Sequence, residues 1–397
     1  MINLQKSLRV VHFSTGHLGG AGLAARRLNQ ALISAGVNSS FHALPHDSFS
    51  PSLHEFTVPR SFVAKLMGKL VTYLNLRIEK KVFFSLFFHN TLNSGFFDTY
   101  KEKNTILHFH NFFNLTTQNT IFSLSKQGYN VVVTLHDQRI FTGGCHYAFD
   151  CNGFESSCPS CPQAPRPLRP LVARSMKHTR RLALTDTKLY LVAPSKWMKA
   201  QAERSRLVLS DHTRFIPNNL GPSFTSGAKK PRKSGDSARF TLGVASMDLN
   251  SYIKGGDIVD DLMAEVGLNH FPLDFVSMRD FHGENGTASF WESIDCLLVL
   301  SRADNSPNVI HEAKSFGIPI VGNALGGITE LLDPDFDYLV KDFEISSMEI
   351  RNYLEGLYFS SDFKEKQSRM EEKFKNYVGC SLDEHLKLYR LILESHD

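Results

Sequence analysis

Tryptophan is scarce, at 2 in 397 residues, and no sign of charge dominates: 44 Lys and Arg stand against 40 Asp and Glu. The resulting formal charge of +4 argues against nucleic acid as a partner, because that role needs a clustered basic face with aromatics between the cations. Long apolar runs are also missing; bursts such as VFFSLFF fall far short of the ~18 residues that span a bilayer. The N-terminal MINLQKSLRVVHFSTG runs directly into a strand-like segment with no secretory leader, so the expected location is the cytoplasm, with peripheral contact at the inner face of a membrane as a variant. There is no repeat of solenoid length and no low-complexity block. What remains is a chain 42% hydrophobic and 21% charged, long enough to bury two cores.

Strand, turn and helix signals alternate along it. LRVVHFS is a β-branched apolar run, TGHLGGAG a glycine turn, and AARRLNQALISAGV a helical pattern stopped at Gly36. The alternation continues through TILHFHN, a helix from Leu115, NVVVTLHD, KLYLVAPS and a helix from Lys196. Near-continuous apolar strands between helices predict parallel sheets covered on both faces. Pro222 to Ala238, PSFTSGAKKPRKSGDSA, reads as a linker, after which the pattern restarts with RFTLGVAS, a helix after IKGGD, LDFVSM, DCLLVLS, a helix through Glu312, IPIVG and a helix after GGITE. The division expected is 1–221, a linker over 222–238, 239–365, and C-terminal helices over 366–397 that pack back on the first domain. Residues 62–88 mix Lys65, Lys69, Lys80 and Lys81 with many apolar positions; the favoured expectation is a core-facing helix with a solvated basic edge, the rival an anionic membrane surface.

The residues able to carry chemistry fall at predicted strand ends, where open α/β sheets bind ligands. Gly19 and Gly20 lie between a strand and a helix, where backbone amides can approach an anion, although the pattern is not G-x-G-x-x-G and a tight turn explains it equally well. His136 and Asp137 follow an apolar strand directly and suit proton transfer or a structural hydrogen bond. Lys254 precedes a helix, where a cation can meet phosphate. Asp304 follows CLLVLS, and Pro307 suits the first turn of a helix carrying Glu312, so that residues 305–309, Pro307 excepted, offer backbone N–H groups to an anion. GNALGGITE repeats the device with Gly326, Gly327 and Glu330, the last placed in a first helical turn.

Cys145, Cys151, Cys158 and Cys161 lie close together, while Cys296 and Cys380 stand apart. Four such thiols can hold one structural zinc, form two disulfides, or stay free; a reducing compartment favours metal over disulfides. With four protein ligands, that zinc has no open position for catalysis.

Taken together, GGAGLAARRLNQAL, VVVTLHDQRIFTGGCHY, CPSCPQ, APSKWM, IPNN, KGGD and DNSPNVIHEAKSFGIPIVGNALGGITELL resemble glycosyltransferase family 4, over nearly the whole chain. The cysteine-bearing segment is similar to a subset tied to polysaccharide assembly. The resemblance implies a GT-B fold, two Rossmann-like doubly wound domains facing across a cleft. It implies a retaining enzyme that moves sugar from a nucleoside-diphosphate sugar to a saccharide or lipid-linked saccharide, with no metal or cofactor in catalysis. It further implies that Glu312 holds the ribose, Asp304 the donor sugar, and amides near Ser306, Asn308 and Val309 the sugar and diphosphate. Lys254 would neutralise the leaving group, Gly19 and Gly20 would approach it, His136 would lie near the donor sugar, and Gly326, Gly327 and Glu330 complete the donor site. Two departures stand out: the family usually has Glu where this chain has Asp304, and an Arg shortly before the Lys of KGGD is missing, a role Arg279 can fill. They keep a rival in play, a non-catalytic GT-B paralogue that binds a sugar nucleotide or a protein. The acceptor site is expected between His42 and Lys103.

Overall fold

The computed structural model describes residues 8–78, 84–86, 90–183, 189–220, 239–246, 251–269, 272–281 and 286–395. The expected linker therefore lies outside the described residues. The chain divides into two compact units, Met1–Asn219 with Cys380–Asp397, and Leu220–Gly379.

The first unit is built on β1 (Arg9–Ser14), β2 (Asn38–Ala43), β3 (Glu55–Thr57), β4 (Thr105–Asn111), β5 (Asn130–Thr134), β6 (Leu189–Ala193) and β7 (Thr213–Phe215). All pair in parallel, in the order β3-β2-β1-β4-β5-β6-β7. Between them run α1 (Gly19–Ser34), α2 (Phe62–Ile78), α3 (Gln118–Lys126), α4 (Arg169–Ala183) and α5 (Lys196–Ser205). Because side chains alternate along a strand, Val11, Phe13, Leu107, Phe109, Val131 and Val133 fill one core. Val10, Ile106, Val132 and Val192 fill the other, with Leu28 and Leu32 of α1. Each such buried aliphatic side chain contributes about 1.5–3 kcal/mol, which is why both faces of these strands read as apolar.

The second unit holds β8 (Phe240–Val244), α6 (Gly256–Asn269), β9 (Leu273–Ser277), α7 (Gly286–Ser293), β10 (Cys296–Val299), α8 (Asn308–Ser315), β11 (Ile320–Asn323), β12 (Tyr338–Val340), α9 (Ser347–Tyr358) and α10 (Phe363–Gly379). Its parallel sheet has the order β12-β11-β10-β8-β9. The same alternation separates a core of Leu242, Cys296, Leu298 and Val321 from one of Leu297, Val299, Ile310 and Ile320.

Four expectations need correction. The segment 366–397 does not act as one: α10 belongs to the second unit, where Phe363 and Met370 pack with Phe336. Only the last helix, α11 (Ser381–Glu394), joins the first unit, burying Leu386, Leu388, Tyr389 and Ile392 under β1 and β4, with Ser381 Oγ donating to Pro217 O at 2.7 Å. No helix follows GGITE; residues 326–331 form turns, because Pro334 blocks helical continuation two residues after Leu332. Pro307, expected in the first turn of α8, stands at its N-cap, one position earlier. Finally, α2 does not turn its apolar side toward a core: Val71 and Asn75 are buried, but Phe62, Val63, Leu66 and Leu76 are 81%, 65%, 58% and 56% exposed, beside exposed Lys65 and Lys69. Lys80 and Lys81 lie outside the described residues.

Candidate donor site and histidine network

In the second unit the site is assembled by a close backbone approach. Gly255 has φ +68°, and a β-carbon there would lie 2.1 Å from Leu300 O, so only glycine brings this turn against the chain leaving β10. Arg302 locks the approach: its N–H donates to Ile253 O at 2.7 Å, and its guanidinium takes both carboxylate oxygens of Asp257, at 2.6 and 2.7 Å. The result is that Lys254 and Asp304, fifty positions apart, meet with Nζ donating to Oδ2 at 2.6 Å. Asp304 is further positioned by Asn305 N–H, which donates to Oδ1 at 2.8 Å, and its carbonyl accepts Gly327 N–H at 3.1 Å. A partly exposed ion pair contributes at most about 1 kcal/mol. Its consequence is therefore placement of two opposite charges, with little gain in stability.

These groups stand at the carboxyl edge of the sheet, over the start of α8. That helix has no side-chain cap bond and no acid in its first turn. Asn308 and Ser306 are buried, Val309 half-buried, and Glu312 buried one turn on. Ser306 Oγ and His311 Nε2 are 2.9 Å apart. Lys314 Nζ donates to the buried Asp337 carboxylate at 2.5 Å, tying α8 to the turn before β12. Gly326, with φ +57°, and Gly327 form the turn beside Asp304; Glu330 is half-buried in the same turn segment. A cavity of about 270 Å³ lined by Asn323, Leu325, Lys341, Asp342 and Phe343 opens at the ends of β11 and β12. Arg279 is exposed just past β9, in the short turn Met278–Asp280.

In the first unit, Gly19 has φ +73° at the start of α1, whose N-cap Leu18 supplies no side-chain bond. A β-carbon at Gly20 would touch nothing within 4 Å; the tight position is Gly22, where it would lie 2.5 Å from Gly16 O. His136 follows β5 and is not paired with Asp137. Asp137 instead accepts from His146 Nδ1 at 2.6 Å and from Arg139 N–H at 2.8 Å, while His146 Nε2 is 2.7 Å from Ser85 Oγ. His136 Nε2 contacts His110 Nδ1 at 3.2 Å, and His110 Nε2 contacts His12 Nδ1 at 2.9 Å. His108 bridges Tyr389 OH and Thr134 Oγ1, each at 2.7 Å. Burial pushes His12 down to about 3 and His136 and His385 to about 4, so the network is neutral at neutral pH.

His12, His108, His110 and His385 were not anticipated. Their signal was there: His108 and His110 alternate on a buried strand, and His12 is in register with His108. The ligand atoms of His12, His108 and His110 lie within 4.8 Å of one another. Among their six nitrogens only His12 Nε2 has no partner, so the triad is a hydrogen-bonded chain and its geometry gives little to a metal.

No protein-family profile matches the chain, and no curated protein matches it in sequence. Solved structures do match. Sucrose-phosphate synthase from Thermosynechococcus elongatus aligns with 98% of this chain and 100% of its own at TM-score 0.64 and 14% identity. WaaG, a glycosyltransferase involved in lipopolysaccharide biosynthesis, covers 97% and 99% at TM-score 0.58 and 11% identity. HepE from Anabaena, solved in complex with UDP and glucose, covers 98% and 99% at TM-score 0.55 and 14% identity.

The fold is GT-B. At these identities the likeness is one of fold, and the ligands of HepE are its own. Within the GT-B chain, Lys254, Asp304, Ser306, Asn308, Val309, Glu312, Gly326, Gly327 and Glu330 belong to the second unit, and Gly19, Gly20 and His136 to the first. The close approach at Gly255 yields a testable contrast. Gly255→Ala is expected to destabilise the second unit by about 1–3 kcal/mol, the cost of a strained backbone position, while Gly20→Ala stays near wild type. Chemical denaturation of the two variants checks this, and equal stabilities would contradict it.

Proposed function

We propose that the chain is a retaining glycosyltransferase of family 4 that transfers sugar from a nucleoside-diphosphate sugar to a hydroxyl of a saccharide or lipid-linked saccharide in surface polysaccharide assembly. The observation that carries it is the Lys254–Asp304 pair at 2.6 Å beside the uncapped start of α8, with Glu312 buried one turn further on. A cation, a helix N-terminus and carboxylates so grouped suit a diphosphate flanked by two sets of hydroxyls. That HepE is solved with UDP-glucose, on the same fold, supports the assignment.

In this account Lys254 turns from Asp304 to the diphosphate when donor binds, and the amides near Ser306, Asn308 and Val309 take the remaining phosphate and sugar oxygens. Asp304, released from Lys254, accepts from donor-sugar hydroxyls, and Glu312 accepts from the ribose. Gly326, Gly327 and Glu330 hold the turn beside the sugar. Departure of the diphosphate leaves an oxocarbenium-like centre, so stabilising the leaving charge is the main electrostatic task. Lys254 and the amides of α8 do this without a divalent ion, with Arg279 a further cation. The acceptor hydroxyl attacks on the face from which the diphosphate leaves, giving its proton to a phosphate oxygen. His136, neutral and anchored through His110, offers a fixed hydrogen bond and no charge.

The deciding experiment is release of nucleoside diphosphate from UDP-, GDP-, ADP- and dTDP-sugars, with and without lipid-linked saccharide extracts. One donor is expected to turn over, with a loss of about 100-fold or more in Glu312→Ala, the scale of removing a key polar contact in a transition state. Donor binding without turnover under every condition would replace this account with that of a binding-only paralogue.

A lipid-linked acceptor also explains α2. Its exposed Phe62, Val63, Leu66 and Leu70 beside Lys65 and Lys69 suit an anionic bilayer surface, apolar groups entering the interface and ammonium groups meeting headgroup phosphates. Among the described residues no helix is long and apolar enough to cross a membrane, so any attachment through these helices is peripheral. Flotation with vesicles of phosphatidylglycerol is expected to carry the wild type and lose at least about 10-fold of Leu66→Ser/Leu70→Ser, since each large apolar group is worth about 1.5–3 kcal/mol when buried. Unchanged flotation of that variant would dismiss α2 as the contact.

A further inference from the structure

Between Phe141 and Arg169 the chain has no α-helix, only the helical turns Gly153–Glu155 and Arg166–Leu168 and a single bridge from Cys145 to Phe84. Even so it is packed like a core: Ala148, Phe154, Ala164, Cys145, Cys158 and Cys161 are buried. Segments this long without regular structure are uncommon inside compact domains, and small units that lack a core of their own are usually stapled. Here the repeated cysteines are the staple's raw material. All four are free thiols, and all four line one cavity of about 240 Å³.

Backbone amides and cations act on them, although burial pushes the Cys158 thiol up to about 11. Gly153 N–H donates to Cys151 Sγ at 3.4 Å, and the backbone amides of Ala164 and Gln163 act to lower the Cys161 thiol and that of Gly143 the Cys158 thiol. Amides donating to sulfur two or three residues back are what a C-x-x-C knuckle presents to a metal. Cys145 and Cys161 act on one another, which raises the first thiol well above its ordinary value and lowers the second to about 6. Cations surround the group: Arg139 acts on Cys145 and Cys158, Arg169 on Cys161, and Arg180 on Cys158. Arg180 is itself held by Phe154 O at 2.7 Å, and Arg169 by Ala164 O at 3.4 Å. Four thiolates around a divalent ion carry a net charge of −2, which three guanidinium groups offset.

We infer that Cys145, Cys151, Cys158 and Cys161 bind one structural zinc ion that fixes this segment against the end of β5. Its four sulfurs leave no open position, so the ion takes no part in the transfer reaction. The sulfurs line the cavity wall without three of them falling within 4.8 Å of one another, as the histidine triad does, so binding draws them inward. The segment reaches the catalytic edge through Asp137 and Gln138: His146 bonds the Asp137 carboxylate, and Gln138 bonds His146 O through its N–H at 2.9 Å and Ala148 N–H through Oε1. The ion thereby holds the residues that immediately follow His136.

The test is elemental analysis of the full chain, purified under reducing conditions without a polyhistidine tag. One equivalent of zinc is expected, falling to none in Cys158→Ser/Cys161→Ser. Because that variant can misfold, cobalt exchange into the wild type provides an independent readout: an intense thiolate-to-cobalt band with the visible spectrum of a tetrahedral tetrathiolate site. A folded wild type with no metal and no such band overturns the assignment, whether its thiols then titrate as four free groups or mass analysis shows two disulfides.

Discussion

The candidate donor site depends on a place where a side chain cannot fit. At Gly255 the backbone turns through positive φ within 2.1 Å, measured from an ideal β-carbon, of the carbonyl of Leu300. That approach carries Lys254 to the end of β10, and Arg302 secures it from the opposite side by binding both Asp257 and the carbonyl of Tyr252. Asp304 then has a cation to face and a glycine turn to hold. Without this backbone contact the two charges sit on separate loops, and nothing in their own attraction, worth about 1 kcal/mol at a half-exposed site, is strong enough to bring them together.

The first unit solves a different problem, how to keep polar groups at the end of a buried sheet. It does so with imidazoles that satisfy one another. From His136 through His110 to His12, each ring spends a nitrogen on the next, while His108 is held by Thr134 and Tyr389. Burial keeps these rings uncharged, and unpaired charges so deep would cost several kcal/mol each. His136 is therefore presented with its ring plane and tautomer governed by its neighbours. The last helix of the chain takes part, since Tyr389 and His385 come from α11.

Much of this was legible in the sequence. Strands buried on both faces show as unbroken apolar runs, so the two parallel sheets could be read directly, and His136 and Asp304 do follow strands as expected. What escaped was set by tertiary contact. Nothing in GNALGGITELLDP distinguishes a turn that docks on Asp304 O from a short helix until Pro334 is weighed against it. The apolar positions of α2 have the period of a core-facing helix, and sequence cannot say which partner, protein or lipid, that face meets. Histidines in LRVVHFS and TILHFHN interrupt apolar strands and look like isolated polar positions until register sets them side by side.

Calorimetric titration of the full chain with UDP, GDP, ADP and dTDP, repeated with Lys254→Ala, tests the central claim most directly, namely that Lys254 and the start of α8 hold a diphosphate. One nucleotide should bind the wild type and weaken at least about 10-fold in the variant, the loss of one charge-assisted contact, while the corresponding nucleoside binds both proteins equally. Binding that is unaffected by Lys254→Ala, or no binding of any diphosphate to the wild type, would contradict the account.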